Sequence, residues 1–239
     1  MRFSRILLKL SGEALGGDGG EPHSHARLAA LAAAIGEAAR GGVQVGVVLG
    51  AGNLFRGRSA NLDVLGRVSA DHIGMLATLL NAAVLREYLR DAGLRADVLA
   101  PRAQPPLAEG FTREDAVARL EAGHVLVFGG GTGNPFFTTD TAAALRGAEI
   151  GAEVLLKATQ VDGVYDRDPR RHPQARRFDR LTYAEVLARR LGVMDLTAVA
   201  LCAEVELPIM VFDVSEPRNL LRVLSGEESG TWIAKEAQS

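Results

Sequence analysis

Residues 43–53 read VQVGVVLGAGN, an apolar run that passes without interruption into a glycine-rich turn. A run this rich in valine and leucine is typical of a strand that is buried on both faces of a parallel sheet. The turn residues Gly50, Ala51, Gly52 and Asn53 mark the carboxyl end of this strand. A buried strand followed at once by glycines is the local pattern on which the fold prediction depends.

The same pattern occurs at two other places in the chain. Residues 5–10 form an apolar strand that ends at Ser11, and residues 125–128 run directly into three glycines. Helices are predicted from apolar spacing at residues 27–41, 71–93, 112–122, 141–150 and 217–224. Further strands are predicted at residues 96–100, 154–156 and 209–212. This alternation predicts an α/β fold, a mostly parallel central sheet covered by helices on both faces, in one domain that spans residues 1–239.

Composition and charge disfavour several classes of protein. The 239 residues are 47% hydrophobic and 23% charged, and the formal net charge is -2. This balance suits a globular protein with a sizeable core and lacks the basic excess of a protein that binds polymeric nucleic acid. The apolar stretch near the N-terminus is short and is interrupted by Lys9, which argues against a signal peptide or membrane span. We expect a cytoplasmic protein whose single cysteine, Cys202, packs in the core.

Glycine-rich segments follow three of the predicted strands, at residues 9–12, 50–53 and 129–134. In an open α/β sheet the carboxyl ends of parallel strands meet at one edge, and ligands bind there. Glycine lets backbone N–H groups approach phosphate oxygens closely. An ordinary turn explains any one segment as well, but the three together predict a site for a polyphosphate and a second phosphate. The spacings of a P-loop and of a dinucleotide-binding fold do not occur.

Two lysines lie among apolar residues at predicted strand ends. Lys9 belongs to the run at residues 5–10, and Lys157 follows the strand predicted at residues 154–156. A cation in such a place is costly unless it is paired or bound to a ligand, so both lysines are candidates to neutralise phosphate. The alternative is that each lysine extends its amino group into solvent at the strand end.

Two carboxylates and two loops complete the candidates that the residues themselves indicate. Asp140 precedes a predicted helix, and Asp195 follows residues 192–194, so capping of a helix explains both residues as well as ligand binding does. Residues 16–20 are rich in glycine, and residues 162–180 are rich in Asp, Arg and Pro. Structureless loops longer than about 12 residues are usually functional or disordered, and we expect both segments to belong to mobile lids.

Four longer motifs are specific enough to indicate a family. They are GAGNLFRG at residues 50–57, DHIGMLAT at 71–78, GTGNPFFTTD at 131–140 and LKATQVDGVY at 156–165. In this order they resemble the bacterial-type UMP kinases of the amino-acid-kinase superfamily, and the resemblance covers essentially the whole chain. It implies the amino-acid-kinase fold and transfer of the γ-phosphoryl group of ATP to UMP, giving UDP and ADP in pyrimidine nucleotide biosynthesis. The transfer would be direct and in line, without a phosphoenzyme.

The resemblance also implies roles for individual residues. The residues that would act in catalysis are Lys9, Lys157, Asp140 and Asp195, with the carboxylates orienting lysines or Mg²⁺. The residues that would bind ATP are Lys9, Leu10, Ser11, Gly12, Gly52, Arg56, Thr159, Tyr165 and Asp168. The residues that would bind UMP are Ala51, Asp71, Thr132, Gly133, Asn134, Pro135, Phe136, Phe137, Thr138 and Thr139. Within these sets Tyr165 would lie near the adenine, and Asp71 would bind the acceptor ribose.

Cofactor, partners and regulation are likewise implied by the resemblance alone. ATP would act with Mg²⁺, and no metal ligand is assigned. Members of the family are typically homohexamers that UTP inhibits and GTP often activates, and the helix at residues 71–93 is either an interface or plain core. The sequence departs from the family at Ala51, where a glycine is usual. We expect φ below zero at Ala51, since a positive φ would strain an alanine, and we expect UMP binding to be retained.

Two other functions are consistent with parts of the sequence. A kinase of the same fold that acts on aspartate, acetylglutamate or carbamate is disfavoured by the motif at residues 131–140. A nucleotide sensor without turnover is disfavoured because Lys9, Lys157, Asp140 and Asp195 are all present. An assay of ADP release with UMP, CMP, dTMP and the amino-acid substrates separates these readings.

Overall fold

The computed structural model describes residues 1–55, 62–227 and 229–235, and a nine-stranded sheet forms the centre of this part of the chain. The strands are β1 (Arg5–Leu10), β2 (Gln44–Leu49), β3 (Ala96–Ala100), β4 (Glu109–Gly110), β5 (Val125–Phe128), β6 (Val154–Thr159), β7 (Val164–Tyr165), β8 (Arg177–Phe178), β9 (Arg180–Thr182), β10 (Ile209–Asp213) and β11 (Thr231–Ala234). Their order in the sheet is β4-β3-β5-β2-β1-β6-β10-β11-β9, while β7 and β8 pair separately. The pair β10 and β11 is antiparallel, and the other neighbours in the large sheet are parallel.

The helices lie between the strands along the chain. They are α1 (His25–Arg40), α2 (Leu62–Leu65), α3 (Arg67–Asp91), α4 (Arg113–Glu121), α5 (Thr139–Glu149), α6 (Tyr183–Arg189), α7 (Leu196–Glu204) and α8 (Asn219–Ser225). Several begin at a side-chain cap, because an oxygen of the preceding residue accepts from a free backbone N–H of the first turn. Thr112, Thr138 and Asp195 cap α4, α5 and α7 in this way.

The core has two layers, one on each face of the sheet. Residues alternate along β1, so that Ile6 and Leu8 join one buried cluster while Leu7 joins the other. Helices α1, α3 and α8 contribute to the first cluster, and α4, α5, α6 and α7 contribute to the second. Helices therefore cover both faces of a mostly parallel sheet, which confirms the predicted fold class.

Some predicted boundaries were wrong. The strand predicted at residues 154–156 continues to Thr159, because Lys157 can remain buried beside a carboxylate. The helix predicted at residues 71–93 begins at Arg67, and the helix predicted at 141–150 begins at Thr139. The segment at residues 162–180 contains the paired strands β7 and β8 rather than a structureless loop.

Helix α3 is long and apolar enough, by length and composition, to cross a membrane, and 39% of its most apolar window is buried in the fold. One such helix is weak support for a span, since core helices of soluble proteins pass the same test. Its buried residues Leu79, Leu85 and Leu89 belong to the cluster that α1 and β2 share. The packing of α3 is that of a core helix with one face left exposed.

Candidate active site

The register of the central strands places Lys9 and Lys157 side by side. Lys9 of β1 is the direct partner of Lys157 of β6, so both side chains project from the same face of the sheet. Each lysine is less than a tenth exposed. The two cations are therefore neighbours in the interior, near the carboxyl ends of both strands.

Asp140 lies between the two amino groups. Its carboxylate oxygens are each 2.6 Å from Lys157 Nζ, and Oδ1 is 2.8 Å from Lys9 Nζ. The carboxylate reaches this place because Thr138 caps α5 and brings Asp140 into the first turn of the helix. The three side chains form a buried cluster with two positive charges and one negative charge, which we call the lysine pair with Asp140.

The electrostatics of this cluster favour an anionic ligand. Burial and then the charge of Lys9 lower the pKa of Lys157 to about 8, although Asp140 acts in the opposite sense. Burial is the largest influence on Asp140 and tends to raise its pKa, but the two lysines together outweigh burial and hold the pKa below its usual value. The carboxylate is ionised, and the excess positive charge would be relieved by a bound phosphate.

Asp195 occupies a different position from Asp140. Its carboxylate accepts from the backbone N–H of Ala198 at 2.8 Å, as the cap of α7, and from Thr141 Oγ1 at 3.1 Å. The hydroxyl of Thr138 also donates to it. The described contacts of Asp195 are thus with N–H and hydroxyl groups that join the starts of α5 and α7, whereas Asp140 contacts the lysines.

The loops after β1 and β2 touch each other through their backbones. A Cβ added to Gly12 would lie 2.6 Å from Gly52 N and closer still to Asn53 Oδ1. Glycine is therefore required at residue 12 for this approach. The described non-glycine residues with positive φ are Phe136, Arg190 and Glu206, so φ at Ala51 is below zero, as expected.

The segment assigned to UMP runs from the end of β5 to the cap of α5. Thr132 and Asn134 form a turn in which Thr132 Oγ1 accepts from Asn134 N at 3.1 Å. Asp71 of α3 accepts from the backbone N–H of Phe136 at 2.7 Å and pairs with Arg67. Phe136 has a φ of 71°, and the residue is 64% exposed. Gly133, Pro135, Phe137 and Thr139 complete this segment, which ends beside the lysine pair with Asp140.

A cleft of about 770 Å³ opens beside the lysines. Of the residues assigned to ATP, the cleft lining includes Lys9, Ser11, Thr159, Tyr165 and Asp168. The structure brings these residues together although they come from β1, the residue after it, β6 and the segment at 162–180. The lining does not include Leu10, Gly12 or Gly52, and Arg56 lies outside the described residues.

The residues assigned to the ATP nucleoside are held by local hydrogen bonds. Tyr165 Oη donates to Asp162 Oδ1 at 2.7 Å, and this bond lowers the pKa of Asp162 and raises that of Tyr165. Thr159 Oγ1 accepts from Val161 N at 3.0 Å and turns the chain after β6. Asp168 accepts from Arg170 N at 3.0 Å. These bonds hold this wall of the cleft in place.

Sequence reasoning missed several residues of this site. Four arginines also line the cleft, namely Arg167, Arg170, Arg189 and Arg190. The basic composition of residues 162–180 indicated Arg167 and Arg170 as candidates. Apart from their charge, nothing in the sequence indicated Arg189 and Arg190. Asn81 of α3, which is fully buried and bonded to the turn after β2, was not noticed because it stands alone in an apolar helix.

Comparison with known proteins identifies the family to which the chain belongs. The amino acid kinase family matches residues 4–213, and the chain belongs to that family. Among solved structures, the chain is similar to the UMP kinase of Bacillus anthracis, with a TM-score of 0.95 and 36% identity over 99% of this chain and 98% of that one. The chain is also similar to the UMP kinase of Ureaplasma parvum, with a TM-score of 0.92 and 33% identity over 98% of this chain and 100% of that one. For the uridylate kinase of Archaeoglobus fulgidus, the TM-score is 0.75 and the identity is 30% over 96% of this chain and 99% of that one.

Proposed function

We propose that this protein is a UMP kinase, which transfers the γ-phosphoryl group of ATP to UMP and forms ADP and UDP. The observation that carries the proposal is the lysine pair with Asp140, which faces a cleft at the carboxyl ends of β1 and β6. Phosphoryl transfer needs charge stabilisation and alignment more than covalent chemistry, and a buried pair of cations supplies the charge. The similarity to UMP kinases over nearly the whole chain supports UMP as the acceptor.

The chain's own groups would act in the transfer as follows. Lys9 and Lys157 stabilise the negative charge that spreads over the transferring group, and Asp140 keeps both amino groups in place. The acceptor is a phosphate monoester, which is already largely ionised near neutral pH, so no general base is needed. The attacking phosphate oxygen approaches the γ-phosphorus in line, and the β-phosphate of ADP leaves on the opposite side.

The two substrates would occupy the two sides of this cluster. ATP would lie in the cleft, with its adenine near Tyr165 and its phosphates towards Lys9 and Ser11. UMP would lie along residues 131–139, where glycine N–H groups and the start of α5 can bind its phosphate. Asp71 would bind the acceptor ribose, and its bond to Phe136 supports this role because it ties α3 to the acceptor segment.

Mg²⁺ is proposed to enter with ATP. The described residues contain no cluster of three or more His, Cys, Asp or Glu side chains that could hold a metal ion. Both oxygens of Asp140 are already bonded to lysine. These residues do not fit a metal site built from protein ligands alone, and Mg²⁺ commonly keeps its waters and binds through substrate phosphates.

We further propose a homohexamer in the cytoplasm, with GTP and UTP as effectors and no effector residue assigned. Exposed apolar side chains on α3, among them Leu76 at 61% and Leu80 at 48% exposure, support self-association. The one cysteine is buried and unpaired, which suits a reducing compartment.

The experiment that tests the function is a coupled assay of ADP release with a panel of acceptors. UMP is expected to give the highest kcat/KM, ahead of CMP and dTMP, with no turnover of aspartate, acetylglutamate or carbamate. A preference for a carboxylate or carbamate acceptor would overturn UMP and leave the family in place. ATP binding without turnover of any acceptor would support a sensor instead.

A further inference from the structure

A buried carboxamide joins three segments next to the phosphate loops. Asn81 of α3 is fully buried, and its Nδ2 donates to the backbone carbonyl of Gly50 and to Asn53 Oδ1, both at 2.8 Å. Its Oδ1 lies 2.7 Å from His23 Nε2 and 3.2 Å from Asn53 Nδ2. Asn53 in turn donates to the carbonyl of Pro22 at 2.7 Å. We call Asn81, Asn53 and His23 the Asn81 network.

The chemistry of the partners determines the orientation of the amide. A backbone carbonyl can only accept, so the atom of Asn81 that faces Gly50 must be the NH₂ group. The remaining oxygen then accepts from both His23 and Asn53, which requires a proton on His23 Nε2. All four hydrogen-bonding positions of the carboxamide are used, and such fully satisfied buried groups hold one geometry.

The network acts on the turn that meets the end of β1. Gly50 receives support on both sides, since its N–H donates to Leu10 O at 2.8 Å while its carbonyl accepts from Asn81. The turn at residues 50–53 packs against Gly12 with no room for a Cβ. A shift of this turn would therefore displace Gly12 and with it the adjoining Ser11, which lines the cleft.

The same face of α3 holds a second site loop. Thr78, three residues before Asn81, accepts from Gly130 N at 2.9 Å through its hydroxyl, and Asp71 accepts from Phe136 N. Residues separated by three or seven positions lie on one side of a helix. Helix α3 thus fixes the loop after β2 and the loop after β5 relative to each other.

We propose that Asn81 is a positioning residue for phosphoryl transfer, an inference that rests on the proposed function. Its carboxamide fixes the turn at residues 50–53 against the end of β1, so that donor phosphates meet the lysines at a productive distance. Asn81 itself touches no substrate in this arrangement. The competing explanation is that Asn81 only stabilises the fold, as any satisfied buried polar group does.

The test compares Asn81→Leu with Tyr183→Phe as a matched control. Tyr183 is also buried and donates to Leu207 O at 2.6 Å, away from the cleft, so its loss tests the removal of a buried hydrogen bond alone. We expect Asn81→Leu to lower kcat/KM by about 10- to 100-fold and to weaken binding of a non-hydrolysable ATP analogue, because small displacements at a reacting centre have effects of this size. Tyr183→Phe should lower the Tm and leave both quantities near wild type.

A milder pair of variants covers the case in which Asn81→Leu does not fold. His23 is half-buried, so His23→Ala should fold and weaken analogue binding, whereas His23→Gln keeps an N–H near the position of Nε2 and should restore it. Wild-type kinetics and affinity in Asn81→Leu, or in His23→Ala if the first variant is unfolded, would overturn the proposal. An equal loss of kcat/KM and of analogue affinity in Tyr183→Phe would also overturn the proposal. Analogue binding does not depend on the acceptor, so failure of UMP as a substrate remains a separate result.

Discussion

Lys157 is a cation in the interior whose charge depends on its neighbours. Its pKa of about 8 results first from burial and then from Lys9, with Asp140 offsetting part of the shift. An ordinary lysine loses its proton near pH 10.4, so the cation of Lys157 is present below about pH 8 and is lost earlier as pH rises. The fold alone therefore stabilises the charged form of Lys157 only in part. A bound phosphate would stabilise this charged form further.

We predict a basic limb in the pH profile of the enzyme because transfer needs the charged form of Lys157. The value of kcat/KM, which reports the free enzyme, should fall as pH rises through about 8. The limb in kcat should appear at higher pH, since bound phosphates favour the cation. Lys157→Arg, which stays charged, should be less active but lack this limb. A kcat/KM profile that is flat to about pH 10 in the wild-type enzyme would contradict the role of Lys157.

Lys9 provides a second test at the scale of single residues. We expect Lys9→Met to lower kcat by about 10²–10³-fold, the usual effect of removing one preorganised group that stabilises transition-state charge. The fold should persist, because methionine fills a similar volume and Lys157 still pairs with Asp140. Arg5→Met, at the opposite end of β1, is the control and should keep its kcat. Turnover close to wild type in Lys9→Met, with circular dichroism showing a folded protein, would remove Lys9 from the mechanism.

At the scale of elements, the start of α5 carries both a cap and a site residue. Thr138 accepts from Asp140 N at 3.0 Å, and its own hydroxyl donates to Asp195, so the cap places Asp140 between the lysines. Helix α4 has the same kind of cap, since Thr112 accepts from Asp115 N at 3.3 Å, but that helix does not enter the site. The chain thus offers two threonine caps, of which Thr138 lies in the site and also donates to Asp195.

We predict that Thr112→Ala lowers the free energy of unfolding by about 1 kcal/mol, which is typical for loss of a threonine cap. Thr138→Ala should lower it by at least as much, because Asp195 also loses a donor. Only Thr138→Ala should also lower kcat, because Asp140 would no longer be held in place by the cap. Urea denaturation and steady-state kinetics of the two variants measure both effects. Unchanged kcat in Thr138→Ala would mean that the lysines alone position Asp140.

The sequence predicted the elements with strong patterns and missed those that tertiary contacts create. The strands at residues 5–10, 96–100 and 125–128 were predicted with their observed bounds, since each is a short apolar run beside a clear turn. The extension of β6 through Lys157 was missed because the carboxylate that permits burial comes from α5. The two-residue strands β7 and β8 were missed because they carry too few residues for any periodicity.

The sequence predicted which residues belong to the candidate site, but it did not predict how their side chains are arranged. Glycines after apolar strands indicated which edge of the sheet would bind phosphate, and the similarity of four motifs supplied residue roles. The contact of Asp140 with both lysines depends on the register of β1 with β6 and on the angle of α5, which the sequence does not state. The Asn81 network could not be predicted from sequence for the same reason. The residues that bond to Asn81 lie about 30 to 60 positions away along the chain.

At the scale of the whole molecule, the sheet order explains why these distant residues meet. Strands β5, β2, β1 and β6 are consecutive neighbours and parallel, so their carboxyl ends lie along one edge. The loops after these four strands are the segment proposed to bind UMP, the turn at residues 50–53, the Ser11 and Gly12 backbone, and the cleft wall that holds Thr159, Tyr165 and Asp168. Helix α3 crosses beneath two of these loops and presents its other face outwards.

The outward face of α3 gives a prediction about assembly. Ile73, Leu76 and Leu80 are 37%, 61% and 48% exposed on a helix whose inner face is buried, and exposed apolar patches on a soluble chain commonly mark contacts with another chain. We predict that the wild-type protein is oligomeric and that Leu76→Glu reduces its mass, measured by light scattering after size-exclusion chromatography, because a buried unpaired charge opposes association.

Val205→Glu is the matched control for this prediction. Val205 is also an exposed apolar residue, at 45%, but it lies at the end of α7 rather than on α3. The control should keep the wild-type mass, since a charge that remains in solvent has little effect on association. A monomeric wild-type protein, or an unchanged mass in Leu76→Glu, would show that the exposed face of α3 is not an interface. Loss of the oligomer in Val205→Glu alone would place the interface at α7, on the opposite face of the sheet from α3.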